Sequence, residues 1–357
     1  MNPPTVLEQA PLFVGGDGGY RTYRIPALAV SSDGTLLAFC EGRRDGLADH
    51  GRIDLLLRRS FDHGKTWEPA RVVVDGAGHT AGNPAPVVER ASGAIALAFC
   101  RNAVDAKEEF ITAGQAARTV WVTRSADDGA TWETPREITA DVKRPGWTWY
   151  ATGPGHGIQL RGGRLLIPCD HIPAPSTILA APARSHAILS DDGGATWRVG
   201  GIAPEKTNEC AAVELADGSV YLNSRHYAGT NRRAVARSRD GGESFGEFGA
   251  DDALVEPVCQ DSLVGLADTG PGRGDWALFA NPASTTRHRM TVRLSRDGCR
   301  TWERSLLLNE GRSGYSDLCV ARDGTVCCLY ERGEASTYET LTLARFPLGA
   351  ILEDAPP

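Results

Sequence analysis

The chain of 357 residues carries 38 Lys and Arg against 45 Asp and Glu, a formal charge of −7, and has no long basic run, which argues against nucleic acid or an anionic membrane surface as a partner. No apolar stretch approaches the roughly 20 residues that span a bilayer, and "MNPPTVLEQAPLF" lacks a basic segment followed by an apolar one, so no signal peptide is expected and the compartment stays open between cytoplasm and a trimmed exported protein. A hydrophobic content of 41% is enough to bury a large core, in two domains or in one large all-β domain.

Taken in chain order, "TVLEQAPLF" reads as a short strand. Three apolar strands follow, "YRIPALAV", "TLLAFCEGR" and "IDLLLRRS", then "SFDHGKTW" from Ser60 and a fourth strand, "ARVVVD". The octet recurs as "SADDGATW" from Ser125, "SDDGGATW" from Ser190, "SRDGGESF" from Ser238 and "SRDGCRTW" from Ser295. Its starts lie about 50 to 65 residues apart, the spacing of a propeller blade. Asp and Gly supply a hairpin turn, Gly taking the positive φ other residues avoid. The terminal aromatic anchors the hairpin, so these boxes are structural. A second blade begins at "NPAPVVE", a third at "GIQL", a fourth at "ECAAVEL" and a fifth at "DSLVGLA". The last, "YSDLCVA", "TVCCLYERG" and "YETLTLARF", has no box and lacks a fourth strand, which the N-terminal strand can supply without leaving an open edge. The expectation is an all-β fold: a six-bladed β-propeller with Asp-box hairpins, its ring closed by the N-terminal strand, forming a single domain over residues 1–357. No helix-period segment of useful length is evident, and "KRPGWTWYATGPGHG" reads as a loop. Nine cysteines, several in apolar runs (Cys40, Cys100, Cys169, Cys319, Cys327), fit no zinc or CxxC spacing and read as buried free thiols. No metal and no cofactor is called for.

In a meander blade, the start of strand one, the end of strand two and the start of strand three share one face, opposite the boxes. Placed this way, Arg24, Arg43, Asp49, Glu209, Arg225, Arg289, Tyr315 and Glu331 all fall on that face. Each alone reads as a solvated strand end or a packing residue; together they surround a central funnel, the default site of such an architecture.

With these residues in place, the chain resembles the exo-sialidases (neuraminidases) of the six-bladed Asp-box propeller type. The resemblance rests on "YRIPAL", the five boxes, "LLAFCEGR", "ATGPGHGIQL", "TNECAAVEL", "LNSRHY" and "GYSDL", and runs from about Thr5 to the end. It implies carboxylate-binding arginines at Arg24, Arg225 and Arg289, with Arg43 beside them, and a glutamate steadying the first of them at Glu331. It also implies an acid/base carboxylate at Asp49, a nucleophile at Tyr315 and its partner at Glu209. "TTRHRMTVR" offers Arg287 and Arg293 near Arg289, and Asp45 and Asp54 flank Asp49.

That chemistry suits those residue types. Sialic acid bears a carboxylate on its anomeric carbon, and arginine offers a permanently charged planar fork to such an anion. A carboxylate nucleophile would meet like-charge repulsion there; a phenol does not, and tyrosine nucleophiles are the stated exception among retaining glycosidases. Glu209 would draw off the phenolic proton, neighbouring arginines would favour the phenolate, and Asp49 would protonate the leaving oxygen and then activate water. The expected substrate is a sialylated glycan. Inserts "AVDAKEEFITAGQAAR" and "IPAPSTILAAPARS", and the aromatic loop with Trp147, Trp149 and Tyr150, are expected to shape the sugar site, unless those aromatics only pack the loop. "LLIPCDHI", with Cys169, Asp170 and His171, departs from the animal-type pattern and leaves the preferred sugar open. A relative specific for Kdn or another nonulosonic acid, a trans-sialidase, and an inactive glycan-binding propeller are the alternatives.

Overall fold

The computed structural model describes residues 7–177, 180 and 182–352. After strand β1 (Glu8–Val14) comes an antiparallel meander of β2 (Thr22–Val30), β3 (Leu36–Arg43), β4 (Ile53–Ser60) and β5 (Arg71–Val74). The second holds β6 (His79–Val88), β7 (Ile95–Ala103), β8 (Arg118–Ser125) and β9 (Arg136–Glu137). In the third, two short segments, β10 (Tyr150–Thr152) and β11 (Ile158–Gln159), both pair with β12 (Leu165–His171), followed by β13 (Arg184–Ser190) and β14 (Arg198–Ile202). The fourth is β15 (Thr207–Glu214), β16 (Val220–His226), β17 (Arg232–Ser238) and β18 (Gly246–Val255). The fifth has β19 (Ser262–Gly265), β20 (Ala277–Pro282) and β21 (His288–Ser295), and its outer edge is the first part of a long β22 (Arg304–Val320). The second part of β22 opens the sixth group, with β23 (Thr325–Arg332) and β24 (Thr340–Pro347). Strand β1 pairs antiparallel with β24, the position the sequence predicts for it.

One reading needs correction. The loop predicted over "KRPGWTWYATGPGHG" contains β10, so the first strand of the third group is two pieces on either side of Gly153-Pro154-Gly155, where the missing Pro N–H and two positive-φ glycines interrupt the ladder. Among the described residues there are also three short α-helices, α1 (Glu108–Thr112), α2 (Thr139–Val142) and α3 (Gly349–Leu352). Each is a single turn, too short to show a helical period in the sequence. Of the insert "IPAPSTILAAPARS", Ile178, Leu179 and Ala181 lie outside the described residues, as do Thr5 and Val6 of "TVLEQAPLF".

The boxes do what their composition demands. In the first, Asp62 accepts from Ser60 Oγ (2.9 Å), Thr66 N (2.8 Å) and Thr66 Oγ1 (2.7 Å), while Gly64 N donates to Ser60 Oγ (2.8 Å) and Trp67 Nε1 to Gly64 O (3.0 Å). Gly64 has φ +83°, closed to most other residues. The same pattern repeats around Asp127 and Asp192. Burial tends to raise Asp62, but its hydrogen bonds prevail and hold it at about 2.

The inner strands are tied by one buried carboxylate. Asp317 on β22 accepts from Leu28 N of β2 (2.7 Å), Ser262 Oγ of β19 (2.8 Å) and His156 Nδ1 (2.9 Å), linking four of the six groups two residues after Tyr315. Burial pushes His156 down, but the Asp317 charge outweighs it and the imidazole sits above its ordinary value. At the other end of these strands a hollow of about 880 Å³ is lined by Ser31, Gln159, Asp268 and Arg322 among others, away from the polar cluster described next.

Candidate active site

A cavity of about 230 Å³ opens on the face opposite the boxes. Tyr315, from the start of the inner part of β22, stands in its wall and is buried. The phenol donates to Glu209 Oε1 at 2.5 Å and receives from Arg225 Nη1 at 3.1 Å; Arg225 Nη1 also bonds Glu209 Oε2 at 2.8 Å. Two more guanidiniums lie against the same ring, Arg24 at 5.2 Å and Arg287 at 5.4 Å from its centroid. Burial and the Glu209 charge push the phenol well above its ordinary value, against the opposing pull of Arg225 and Arg287. The arginines do favour a phenolate, as expected, but burial and Glu209 outweigh them, and the hydroxyl is hydrogen-bonded to a carboxylate.

Glu331 organises this wall from below. Fully buried at the end of β23, it accepts from Arg24 Nε (2.8 Å), Ile25 N (3.3 Å) and Tyr315 N (3.0 Å). One carboxylate thus fixes both an arginine and the backbone that carries the phenol. Two local features make room for it. Ile25 takes φ +59°, unusual for a β-branched residue, at a register shift in the β2–β3 pairing between Arg24 and Ala27, which turns its N–H onto Glu331. Gly314 has no side chain because a Cβ there would lie 2.3 Å from Glu331 Oε2.

Asp49 sits at the cavity mouth, its side chain 50% exposed, in the loop after β3. It pairs with Arg43 Nη2 (2.7 Å) and Arg24 Nη1 (3.3 Å). Nearby protein desolvates the carboxyl, which raises it, but Arg43 and Arg24 overcome that and hold it below its ordinary value. Arg43, almost wholly buried, also bonds Glu41 (2.6 Å) and Leu47 O (2.6 Å), pinning the loop that presents Asp49. Of the flanking acids, Asp45 pairs with Arg52 on the surface, and buried Asp54 bonds Tyr20 and Arg44; neither lines the cavity.

Arg24, Arg43, Asp49, Glu209, Arg225 and Tyr315 are therefore brought together, with Glu331 beneath them. Arg289 is not. It is half exposed and pairs with Glu310; the guanidinium at the cavity is Arg287, bonded to Tyr338 Oη at 2.6 Å. The cause is a bulge: Arg289 has φ +65° and the β21–β22 register shifts between His288 and Met290, so its side chain leaves the cavity although it opens the strand. Two of the aromatics also belong elsewhere. Trp147 stacks on His171 at 3.5 Å between ring centroids, and buried Tyr150 bonds His186 Nε2 at 3.0 Å, so both pack the loop. Trp149 alone of the three lines the cavity, under the Arg118 guanidinium at 4.5 Å.

The far wall holds residues that no strand pattern indicated. Arg118 bridges Asn83 Oδ1 (2.5 Å), Asn102 Oδ1 (2.5 Å) and Tyr150 O (2.6 Å). Glu108 is carried in by α1 from the insert of the second group, and burial and the Asp49 charge raise its carboxyl. Asn208, Tyr227 and Tyr338 also line the cavity. Among the described residues no group of three or more His, Cys, Asp and Glu is disposed to hold a metal.

Comparison with known proteins follows the same lines. Residues 34–328 match the BNR repeat-like domain. The chain is 37% identical to a sialidase of Micromonospora viridifaciens over 96% of its length, and spans 54% of that protein. It is 31% identical to Sialidase-3 of Mus musculus, covering 96% of this chain and 95% of that one. The solved structure of the Hadza microbial sialidase Hz136 superposes with a TM-score of 0.85 at 32% identity, covering 96% of this chain and 69% of that one.

Proposed function

Since the chain belongs to the sialidase family, we propose that it is an exo-α-sialidase that releases terminal sialic acid from glycoconjugates with retention of configuration, using Tyr315 as nucleophile. The six antiparallel groups are read as the blades of one closed propeller and residues 1–357 as one domain. The observation that carries the enzymatic reading is the 2.5 Å hydrogen bond from Tyr315 Oη to Glu209 inside a ring of three guanidiniums, Arg24, Arg225 and Arg287.

The cradle takes the substrate carboxylate. Arg225 Nε has no protein partner among the described residues, and an acid group supplies the acceptor it lacks. With the carboxylate fixed, the anomeric carbon faces Tyr315. The phenol attacks as its proton passes to Glu209, which avoids forming a free phenolate that burial disfavours. The bond to the leaving oxygen breaks and that oxygen takes a proton from Asp49. Asp49 is paired with Arg43 and Arg24. A bound carboxylate competes for Arg24 and excludes water, which lifts Asp49 towards the protonated form the step needs. In the second half, Asp49 takes a proton from water, the hydroxide equivalent attacks the anomeric carbon, and Tyr315 leaves, recovering its proton from Glu209. Two inversions give net retention.

Proton NMR of 3′-sialyllactose during turnover tests this. The α anomer of free sialic acid is expected first, followed by slow mutarotation. Initial release of the β anomer would contradict the double displacement, and no release would contradict the activity.

A further inference from the structure

The guanidinium cradle occupies one side of the cavity; the other is built by β12 and its neighbours. There, Asp170 on β12 lines the cavity although its side chain is wholly buried. Its Oδ1 is fully engaged, accepting from Asn208 Nδ2 at 2.8 Å and Trp149 Nε1 at 3.1 Å. Its Oδ2 is buried and has no hydrogen-bond partner among the described residues. Buried carboxyl oxygens are rarely left this way, because desolvation without a replacement bond is unfavourable. Burial and the nearby Glu209 charge raise this carboxyl well above the ordinary range, outweighing the Trp149 bond, Arg118 and Arg225.

With the carboxylate held at Arg24, Arg225 and Arg287, the sugar's other substituents meet the rest of the lining, which includes Trp149 and Asp170. Those substituents are an acylamino group and a polyol arm, both hydrogen-bonding. We propose that Asp170 is a specificity-determining residue: its unpartnered Oδ2 hydrogen-bonds one polar substituent of the sugar on the side remote from the carboxylate. The inference rests on the sialidase reading and deepens it. The competing account is structural, since Asp170 also holds Asn208, the neighbour of Glu209.

The test compares kcat/KM of the wild type, Asp170→Ala and Asp170→Asn on three fluorogenic sialosides: Neu5Ac, Kdn (hydroxyl in place of acylamino) and a seven-carbon Neu5Ac trimmed of its last two polyol carbons. Asp170→Ala is expected to lose about tenfold or more on Neu5Ac. It should lose little on the analogue that lacks the contacted group. A penalty that collapses on Kdn assigns the acylamino group; one that collapses on the seven-carbon sugar assigns the polyol arm. Asp170→Asn, of the same volume and with a donor available at the Oδ2 position, should keep the wild-type order of preference. An equal loss on all three substrates in Asp170→Ala, or an altered order of preference in Asp170→Asn, overturns the inference and leaves Asp170 a scaffold residue. A wild type that cleaves none of them overturns the sialidase reading and this inference with it.

Discussion

Glu331→Gln removes one charge and changes almost no volume, so its effect can be worked from the geometry. If the amide oxygen stays on Arg24 Nε and Ile25 N, the amide nitrogen takes the place of Oε2, 3.0 Å from Tyr315 N. Two donors then face each other in a fully buried spot. A buried N–H without an acceptor costs about 1–3 kcal/mol, and Arg24 loses a charged partner as well. About 1.4 kcal/mol corresponds to a factor of ten, so KM for an aryl sialoside should rise about 10- to 100-fold through a displaced Arg24. The same displacement of the Tyr315 backbone should lower kcat, and the melting temperature should fall by several degrees. Gly314→Ala, which puts a methyl 2.3 Å from Glu331 Oε2, should reproduce the phenotype without touching the charge. Steady-state kinetics and thermal melts check both variants. Unchanged KM and unchanged melting temperature in Glu331→Gln would refute the reasoning that one carboxylate fixes both arginine and nucleophile.

The other expectations concern the cradle, the nucleophile and the scaffold. Arg287→Ala should raise KM by about 100-fold, the scale of a lost buried charge-assisted bond, while Arg289→Ala, paired with Glu310 outside the cavity, should leave kinetics within about twofold; the reverse ranking would restore Arg289 to the site. Tyr315→Phe should lose orders of magnitude in kcat and keep the fold, since the ring still packs; near-normal turnover would remove it from the chemistry. Asp62, Asp127, Asp192 and Asp240 are each held at about 2 by their box hydrogen bonds. A lowered folded-state value means that their stabilisation is complete above the ordinary carboxylate value of about 4 and is lost as pH falls towards 2. Melting temperature should therefore drop steeply between about pH 4 and pH 2, and the drop should shrink in Asp62→Asn; an unaltered pH profile in that variant would show that the boxes do not carry the acid sensitivity.

What the sequence makes legible follows from how locally each feature is determined. The boxes are closed circuits of hydrogen bonds within a few residues, as around Asp62, so their composition states their geometry. Arg24, Arg225 and Tyr315 are legible from the end of the blade at which the meander puts them, which the register shifts beside Arg24 and around Tyr315 do not change. Arg287 and Arg289 show the limit: a positive φ in the strand takes the Arg289 side chain out of the cavity, and no residue type at position 289 announces it. Trp147 and Tyr150 show another. Aromatic side chains suit a sugar face and a loop core equally, and only tertiary packing on His171 and His186 decides. Glu108 and Asp170 enter the cavity from an insert and from the far wall, and nothing in their neighbours marks them apart from an acid lying in an apolar run, "LLIPCDHI", for the latter.

The central claim is that a phenol attacks the anomeric carbon. A sialosyl fluoride carrying a second fluorine at C3 slows the second half-reaction and lets the covalent intermediate accumulate, and peptide mass spectrometry then locates it. The account predicts one adduct per chain, on Tyr315, absent from Tyr315→Phe. An adduct on Asp49 or Glu209, or none while the wild type is still inactivated, would contradict it.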